Sequence, residues 1–349
     1  MAKDKQLGIN TPAFYIEHFF TEYLQAELRV SHHTIRSYRD TFVLLLQYLS
    51  KQKNVDIDLL SMDDINRENV ASFLKWLQDV RHCSIRTRNQ RLCALKSFAR
   101  YLKYEAPQKM HTWEAISSIR NQKELKGVIR YVSVDALALL LKQVDISTLK
   151  GRRDLTLLTL LYRTAIRASE LVALTPSSLH LNAPAIIEVL GKGNKKRVVP
   201  LDDNMVDLLT QYMADNHLNK YGKEHHPLFY NSRGEALSTA GVTYILHKYF
   251  DMAKAVDPSI YPEKFSPHNM RSTKAMHWLQ AGVDLYYIKD LLGHSSIQTT
   301  EVYARADTKA KRDALERAYN ENQEQSVELP SWQRQPRLLD MLKSLSKCR

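Results

Sequence analysis

Residues 266–305, SPHNMRSTKAMHWLQAGVDLYYIKDLLGHSSIQTTEVYAR, decide how the whole chain reads. Pro267 favours a first helical turn. The three-residue spacing of His268 and Arg271 sets an imidazole and a guanidinium on one face of that helix. Gly282 suits its stop, and Asp284 is placed to cap a second short helix through Ile288 and Leu292, which Gly293 ends. His294 therefore falls in a tight junction. Ser295-Ser296-Ile297-Gln298 reads as a capping box opening a third helix about one turn before Tyr303.

One chemistry suits that set of residue types. An arginine offers a planar fork matched to phosphate oxygens and never loses its charge. Two histidines can donate hydrogen bonds or move protons near neutral pH. A tyrosine hydroxyl becomes a covalent nucleophile once a neighbour takes its proton. No carboxylate pair stands among them to hold a metal, and phosphoryl transfer onto a tyrosine without metal fits best.

HxxR followed by LLGHSSIQTTEVYAR resembles the signature of the tyrosine recombinase (phage integrase) family, which implies Tyr303 as the nucleophile. Any one of these residues alone is more often structural. The weight comes from His268, Arg271, His294 and Tyr303 matching together, in order and at the family's spacing. RRDLTLLTLLYRTAIRASELVAL resembles the family's first arginine motif, TGLRxSEL, with Ala165 in place of the glycine and Arg167, Ser169, Glu170 and Leu171 kept. Glu170 cannot itself bind phosphate; its expected role is to orient a cationic or histidine side chain, with plain helix capping as the alternative. Met270 and Ser272 stand where the family more often has Leu and His.

Ile186, Ile187 and Val189, then Val198 and Val199, read as two strands joined by a turn at Gly191-Lys192-Gly193-Asn194. This is not a phosphate-cradling P-loop, because the glycine spacing and the following Ser or Thr are missing. GKGNKKRVVPL instead resembles the family's hairpin that carries a catalytic lysine. That nominates Lys192, with Lys195 and Lys196 as close neighbours.

Upstream, residues 11–104 read as helices throughout. Ile35, Tyr38, Phe42, Leu45, Leu46 and Leu49 recur at threes and fours, and Val70, Phe73, Leu74 and Leu77 form a second apolar stripe. Between Arg81 and Lys103 stand Arg86, Arg88, Arg91, Lys96 and Arg100, with no Asp or Glu. A solvated face is the ordinary reading of a charge run, but a single sign favours phosphate contacts. The stretch also resembles the core-binding domain of the same recombinases, which implies Thr34, Arg36, Arg86, Arg88 and Arg91 as DNA contacts. Only about ten residues precede it, so the expectation is a member without a separate arm-binding domain.

The expected architecture is mainly α: a helical, SAM-like core-binding domain over 1–106, an interdomain linker over 107–131 with a short helix around Trp113, and a mostly helical catalytic domain with a small antiparallel sheet over 132–320. A tail over 321–349 completes it, with Leu338, Leu339, Met341, Leu342 and Leu345 as an apolar face for a neighbouring protomer or for the chain's own catalytic domain. With 50 basic against 38 acidic residues in 349, the net charge of +12 favours a polyanionic partner. No apolar run approaches the ~20 residues that span a bilayer. Cys83, Cys93 and Cys348 form no metal or disulfide pattern and suit a reducing cytoplasm.

The resemblance implies a site-specific recombinase acting on double-stranded DNA through a 3′-phosphotyrosine, as a homo-tetramer, without cofactor, metal or membrane. Integration, excision and transposition are the uses it covers. The rivals are a type IB topoisomerase-like or hairpin-resolving strand transferase, a DNA-binding regulator that has lost catalysis, and a metal-dependent nuclease.

Overall fold

Short polar side chains set most helix starts. Ser31, Asn66, Ser84, Ser133, Thr148, Asp202, Ser238, Ser266 and Asp284 each accept a hydrogen bond from a backbone N–H two or three residues on. Each such cap satisfies a donor with no intrahelical partner and is worth about 1 kcal/mol. The computed structural model describes residues 11–124, 129–191 and 195–306. The chain divides into two compact units, Met1–Lys126 and Gly127–Arg349.

Among its described residues, the first unit contains helices and no strand. Helix α1, Pro12–His18, runs on as a π-helix over Phe19–Glu27 and is followed by α2 His32–Lys53, α3 Arg67–Asp79, α4 Ile85–Glu105 and α5 Met110–Ser117. The apolar stripes face inward: Phe42, Leu45 and Leu49 of α2 meet Phe73, Leu74 and Leu77 of α3 and Leu92, Leu95 and Leu102 of α4. Phe19, Phe42 and Phe98 form the aromatic centre, with Phe98 edge-on to the other two at 5.1 and 5.0 Å. Burying rings of this size contributes about 1.5–3 kcal/mol each before entropy is counted.

Residues 107–119 differ from the expected linker. Trp113 is fully buried, its indole N–H donates to the Ala106 carbonyl at 2.9 Å, and Ile116 and Ile119 join the same core. The polar composition of this segment disguised three apolar anchors. Beyond them, Arg88 donates to the Arg120 carbonyl and Asn89 to that of Gln122, so the chain stays fastened to the first unit as far as residue 122.

In the second unit, α6 Val134–Lys142 and α7 Leu149–Thr164 lead to the short α8 Ala168–Leu171. Strands β1 Leu179–His180, β2 Ile186–Leu190 and β3 Lys196–Pro200 then form one antiparallel sheet in that order. The third strand, β1, escaped sequence reading because it has two residues and no alternation of its own. Ile187 pairs with Val199 and Val189 with Arg197, so these four share the inward face. Helices α9 Asp203–Asp215, α10 Thr239–Val256, α11 Pro267–Gln280, α12 Leu285–Leu292 and α13 Glu301–Ala306 complete the unit. Leu157, Leu158, Leu160 and Leu161 bury α7 on more than one face, making it the central rod on which α11 and α9 pack. The stretch from Ser295 forms a single 3-10 turn, Ile297–Thr299, and Tyr303 lies on the separate α13.

Candidate active site

Arg271, on the second turn of α11, is 2% exposed and, among the described residues, forms no salt bridge with a carboxylate. Its Nη1 donates to the Ala165 carbonyl at 2.7 Å and its Nη2 to the Leu292 carbonyl. These carbonyls lie at the ends of α7 and α12, where the helix dipole is negative and a cation is welcome. Both helices stop in a left-handed residue, Ala165 at φ 50° and Gly293 at φ 61°. Left-handed backbone costs a non-glycine about 1–2 kcal/mol, here partly offset because the Ala165 methyl packs with Ala275, Met276, Ile288 and Leu292. The departure from the family's glycine therefore leaves the tight turn in place. Burial, then the charge of Arg167, lowers the Arg271 pKa to about 10, so it remains a cation at neutral pH.

Glu170 organises the neighbouring corner. Its carboxylate accepts from the Arg167 backbone N–H and Nη1, both at 2.7 Å, and from Arg197 Nη1 and Nη2 at 2.9 and 2.7 Å. Burial raises its pKa, but the hydrogen bonds from Arg197 and Arg167 overturn that and hold it at about 2. Arg167, half-exposed at the start of α8, keeps further donors for a ligand. Arg197 was missed in the sequence. Its signal was its inward register beside Val199, a position where a charge needs a buried partner.

His294 follows Gly293 in a Schellman turn: the His294 N–H donates to the Lys289 carbonyl at 3.0 Å and the Gly293 N–H to that of Asp290 at 2.9 Å. Its Nδ1 lies 2.9 Å from Oγ1 of Thr300, a residue with no exposed surface. Burial first, then the charges of Arg271, Arg167, His268 and Arg197, depress its pKa to about 4. His294 is accordingly neutral at pH 7, a hydrogen-bond donor rather than a proton source.

Tyr303 is 4% exposed and packs in the cluster of Ala165, Ala275, Met276, Ile288 and Leu292, close enough to act electrostatically on Arg271. His268 sits exposed on the first turn of α11, near enough to influence His294. Arg167, Arg197, Lys195, Lys196, Gly293 and His294 line a cleft of about 620 Å³, rich in positive charge. The structure thus brings Arg167, Glu170, His268, Arg271, His294 and Tyr303 into one neighbourhood. Lys192 lies outside the described residues. Among the described residues, no group of His, Cys, Asp or Glu is placed to hold a metal ion, and no helix is long and apolar enough to cross a membrane.

In the first unit, Arg36, Arg91, His33, Thr87 and Gln90 line a cleft of about 240 Å³ between α2 and α4. Arg36 and Arg86 are exposed, and Thr34 and Arg91 half-buried. Arg88 departs from the expected phosphate contact: it is 7% exposed, and its Nη1 donates to Asn89 Oδ1 and the Arg120 carbonyl. A run of one sign does not reveal which member turns inward.

Residues 130–310 match the profile of the phage integrase family, and residues 18–106 that of the phage integrase N-terminal SAM-like domain. The chain is 33% identical to a putative integrase/recombinase, y4rC, of Sinorhizobium fredii over 86% of this chain and 89% of that one. It is 30% identical to tyrosine recombinase XerC of Chlamydia muridarum over 87% and 98%. Among solved structures, the Tn1549 transposon integrase in complex with transposon right end DNA aligns at TM-score 0.67 and 15% identity, covering 87% of this chain and 98% of that one. XerH recombinase bound to its difH substrate aligns at 0.62 and 22%, covering 80% and 78%. At these identities the two structures speak to the fold alone.

Proposed function

Because the chain belongs to the phage integrase family, the tyrosine recombinases, we propose that Tyr303 is the nucleophile with which it cleaves and rejoins DNA strands at specific sites. The Tyr303 hydroxyl attacks the scissile phosphorus, and the bond to the 5′-oxygen breaks. A 3′-phosphotyrosine and a free 5′-hydroxyl result. Religation to a different 5′-hydroxyl reverses the chemistry and exchanges strands; the phosphotyrosine conserves the energy of the phosphodiester, so the step balances without ATP.

The pentacoordinate intermediate gathers negative charge on its non-bridging oxygens. Arg167 and Arg271 neutralise it, and His294 adds a hydrogen bond from Nε2. In this proposal the Thr300 hydroxyl, 2.9 Å from Nδ1, turns its proton to that nitrogen and so leaves the ring proton on Nε2. A preorganised donor of this kind is worth about 10²–10³ in rate. Lys192 gives the leaving 5′-oxygen its proton, and His268 takes the proton of Tyr303.

One observation carries this reading: Arg167, held by Glu170, and the neutral His294 line one cleft, and the buried Arg271, held by two helix ends, lies close enough to Arg167 and Tyr303 to interact with both. For the DNA itself, Thr34, Arg36, Arg86 and Arg91 are proposed phosphate contacts, with Arg88 bracing the scaffold behind them. The similar folds seen bound to transposon right end DNA and to difH suit a recombination site as substrate. Assembly is proposed as a homo-tetramer on synapsed DNA in the cytoplasm, linked by the tail over 321–349, which lies outside the described residues.

A nicked recombination-site DNA, incubated with the protein in EDTA, tests the reaction class. The expected product is an SDS-resistant adduct on the 3′ side with a kinase-labelable 5′-hydroxyl opposite. Cleavage that leaves no adduct, or that stops in EDTA, would point to a nuclease.

A further inference from the structure

We propose that Arg197 is a positioning residue for strand cleavage. This rests on the reading of Arg167 and His294 as phosphate-binding groups: a single guanidinium ties Glu170, and through it Arg167, to the end of α12 from which His294 projects.

All three guanidinium nitrogens of Arg197 are engaged. Nη1 and Nη2 of Arg197 grip the two carboxylate oxygens of Glu170 at 2.9 and 2.7 Å, while Nε donates to the Leu291 carbonyl at 3.1 Å. The same carboxylate holds the Arg167 backbone N–H and Nη1. Leu291 stands three residues before His294, in the last turn of α12. Three separate elements, α8, β3 and α12, therefore meet at one side chain, itself 12% exposed.

Two glycines make room for it. A Cβ on Gly293 would come within 2.9 Å of Arg197 Cδ, and one on Gly191 within 3.4 Å of its Nη1. The backbone is thus bare on both flanks of the guanidinium. Only an arginine fork can make the bidentate grip and the carbonyl bond together; a lysine presents a point charge. Arg197 also borders the cleft, so the competing role is direct contact with a DNA phosphate.

The full chain, a nicked substrate that traps the adduct, and binding titrations over a range of salt separate these roles. Arg197→Ala should keep its DNA affinity and salt slope while adduct formation slows about 100-fold, the usual result of misplacing reacting groups by an ångström. Arg197→Lys should recover little of that rate, and a substrate with a 5′-bridging sulfur should recover none, since the lost function is not proton donation. Combining Arg197→Ala with Glu170→Gln should be no slower than the slower single variant, because both break one unit. A salt slope reduced by about one would make Arg197 a phosphate contact and overturn the proposal. So would multiplicative losses in the double variant, or an adduct rate within about threefold of the parent. Should Arg197→Ala fail to fold, Arg197→Lys decides, because it keeps charge and stem: a normal rate there refutes the need for the fork. Absence of any adduct from the unaltered chain would strike the underlying reading of the site itself, and this proposal with it.

Discussion

Replacing Glu170 by Gln removes one negative charge and almost no volume. In the native protein that carboxylate receives four donors, two from Arg167 and two from Arg197. Burial opposes its ionisation, yet the arginine hydrogen bonds bring its pKa from 4.5 down to about 2. At about 1.4 kcal/mol per pH unit, the folded protein holds the charged form by roughly 3 kcal/mol. Breaking a buried ion pair so that a cation is left uncompensated costs about 3–5 kcal/mol, and the two figures agree. The folded pKa lies below the unfolded one. The contribution is therefore complete above about pH 4.5 and is lost as the pH falls toward 2. Urea titrations of the parent and Glu170→Gln, compared at unchanged slope, should differ by roughly 3 kcal/mol at neutral pH and converge on acidification. Glutamine does not titrate, so the convergence comes from the parent alone. A neutral-pH difference under about 1 kcal/mol, or one that persists unchanged into acid, refutes the reasoning.

Three further outcomes are expected. Lys192→Ala should cleave an ordinary phosphodiester slowly and a 5′-bridging phosphorothiolate at close to the parent rate, because a thiolate leaves without a proton; lack of selective rescue would turn attention to Lys195 or Lys196. Arg86→Ala and Arg91→Ala should each weaken all DNA sequences alike and lower the salt slope by about one, whereas Arg88→Ala should lower stability with the slope unchanged. Unchanged slopes for the first two would make α4 a solvated face. Deleting residues 330–349 should leave single-site binding intact and impair synapsis of paired sites; normal synapsis by the truncated chain would remove the tail as the link.

The helices were legible because apolar residues recur at threes and fours, and because Ser, Thr, Asp or Asn stands where a cap is needed. Ser266, Asp284 and Gly293 behave as their positions imply. The β2–β3 hairpin was legible from its branched residues around a glycine turn. Contacts made across the fold were not. Thr300 acts around a turn and nothing in its immediate neighbours marks it, while the inward register of Arg197 marks a buried charge but not its partner, Glu170, far along the chain. Arg88 looks like its exposed neighbours until α4 is rotated against the segment after Ile119. The same holds for Trp113, whose polar surroundings concealed a core anchor.

One oxygen, Oη of Tyr303, is proposed to form the bond to DNA. Tyr303→Phe keeps the ring that packs against Met276, Ile288 and Leu292 and removes only that atom. Incubated with a nicked recombination site and resolved under SDS, this variant is expected to bind the DNA with near-parental affinity and to form no covalent adduct. An adduct persisting in Tyr303→Phe would contradict the account and move the nucleophile elsewhere, first to the exposed Tyr286 and Tyr287 of α12.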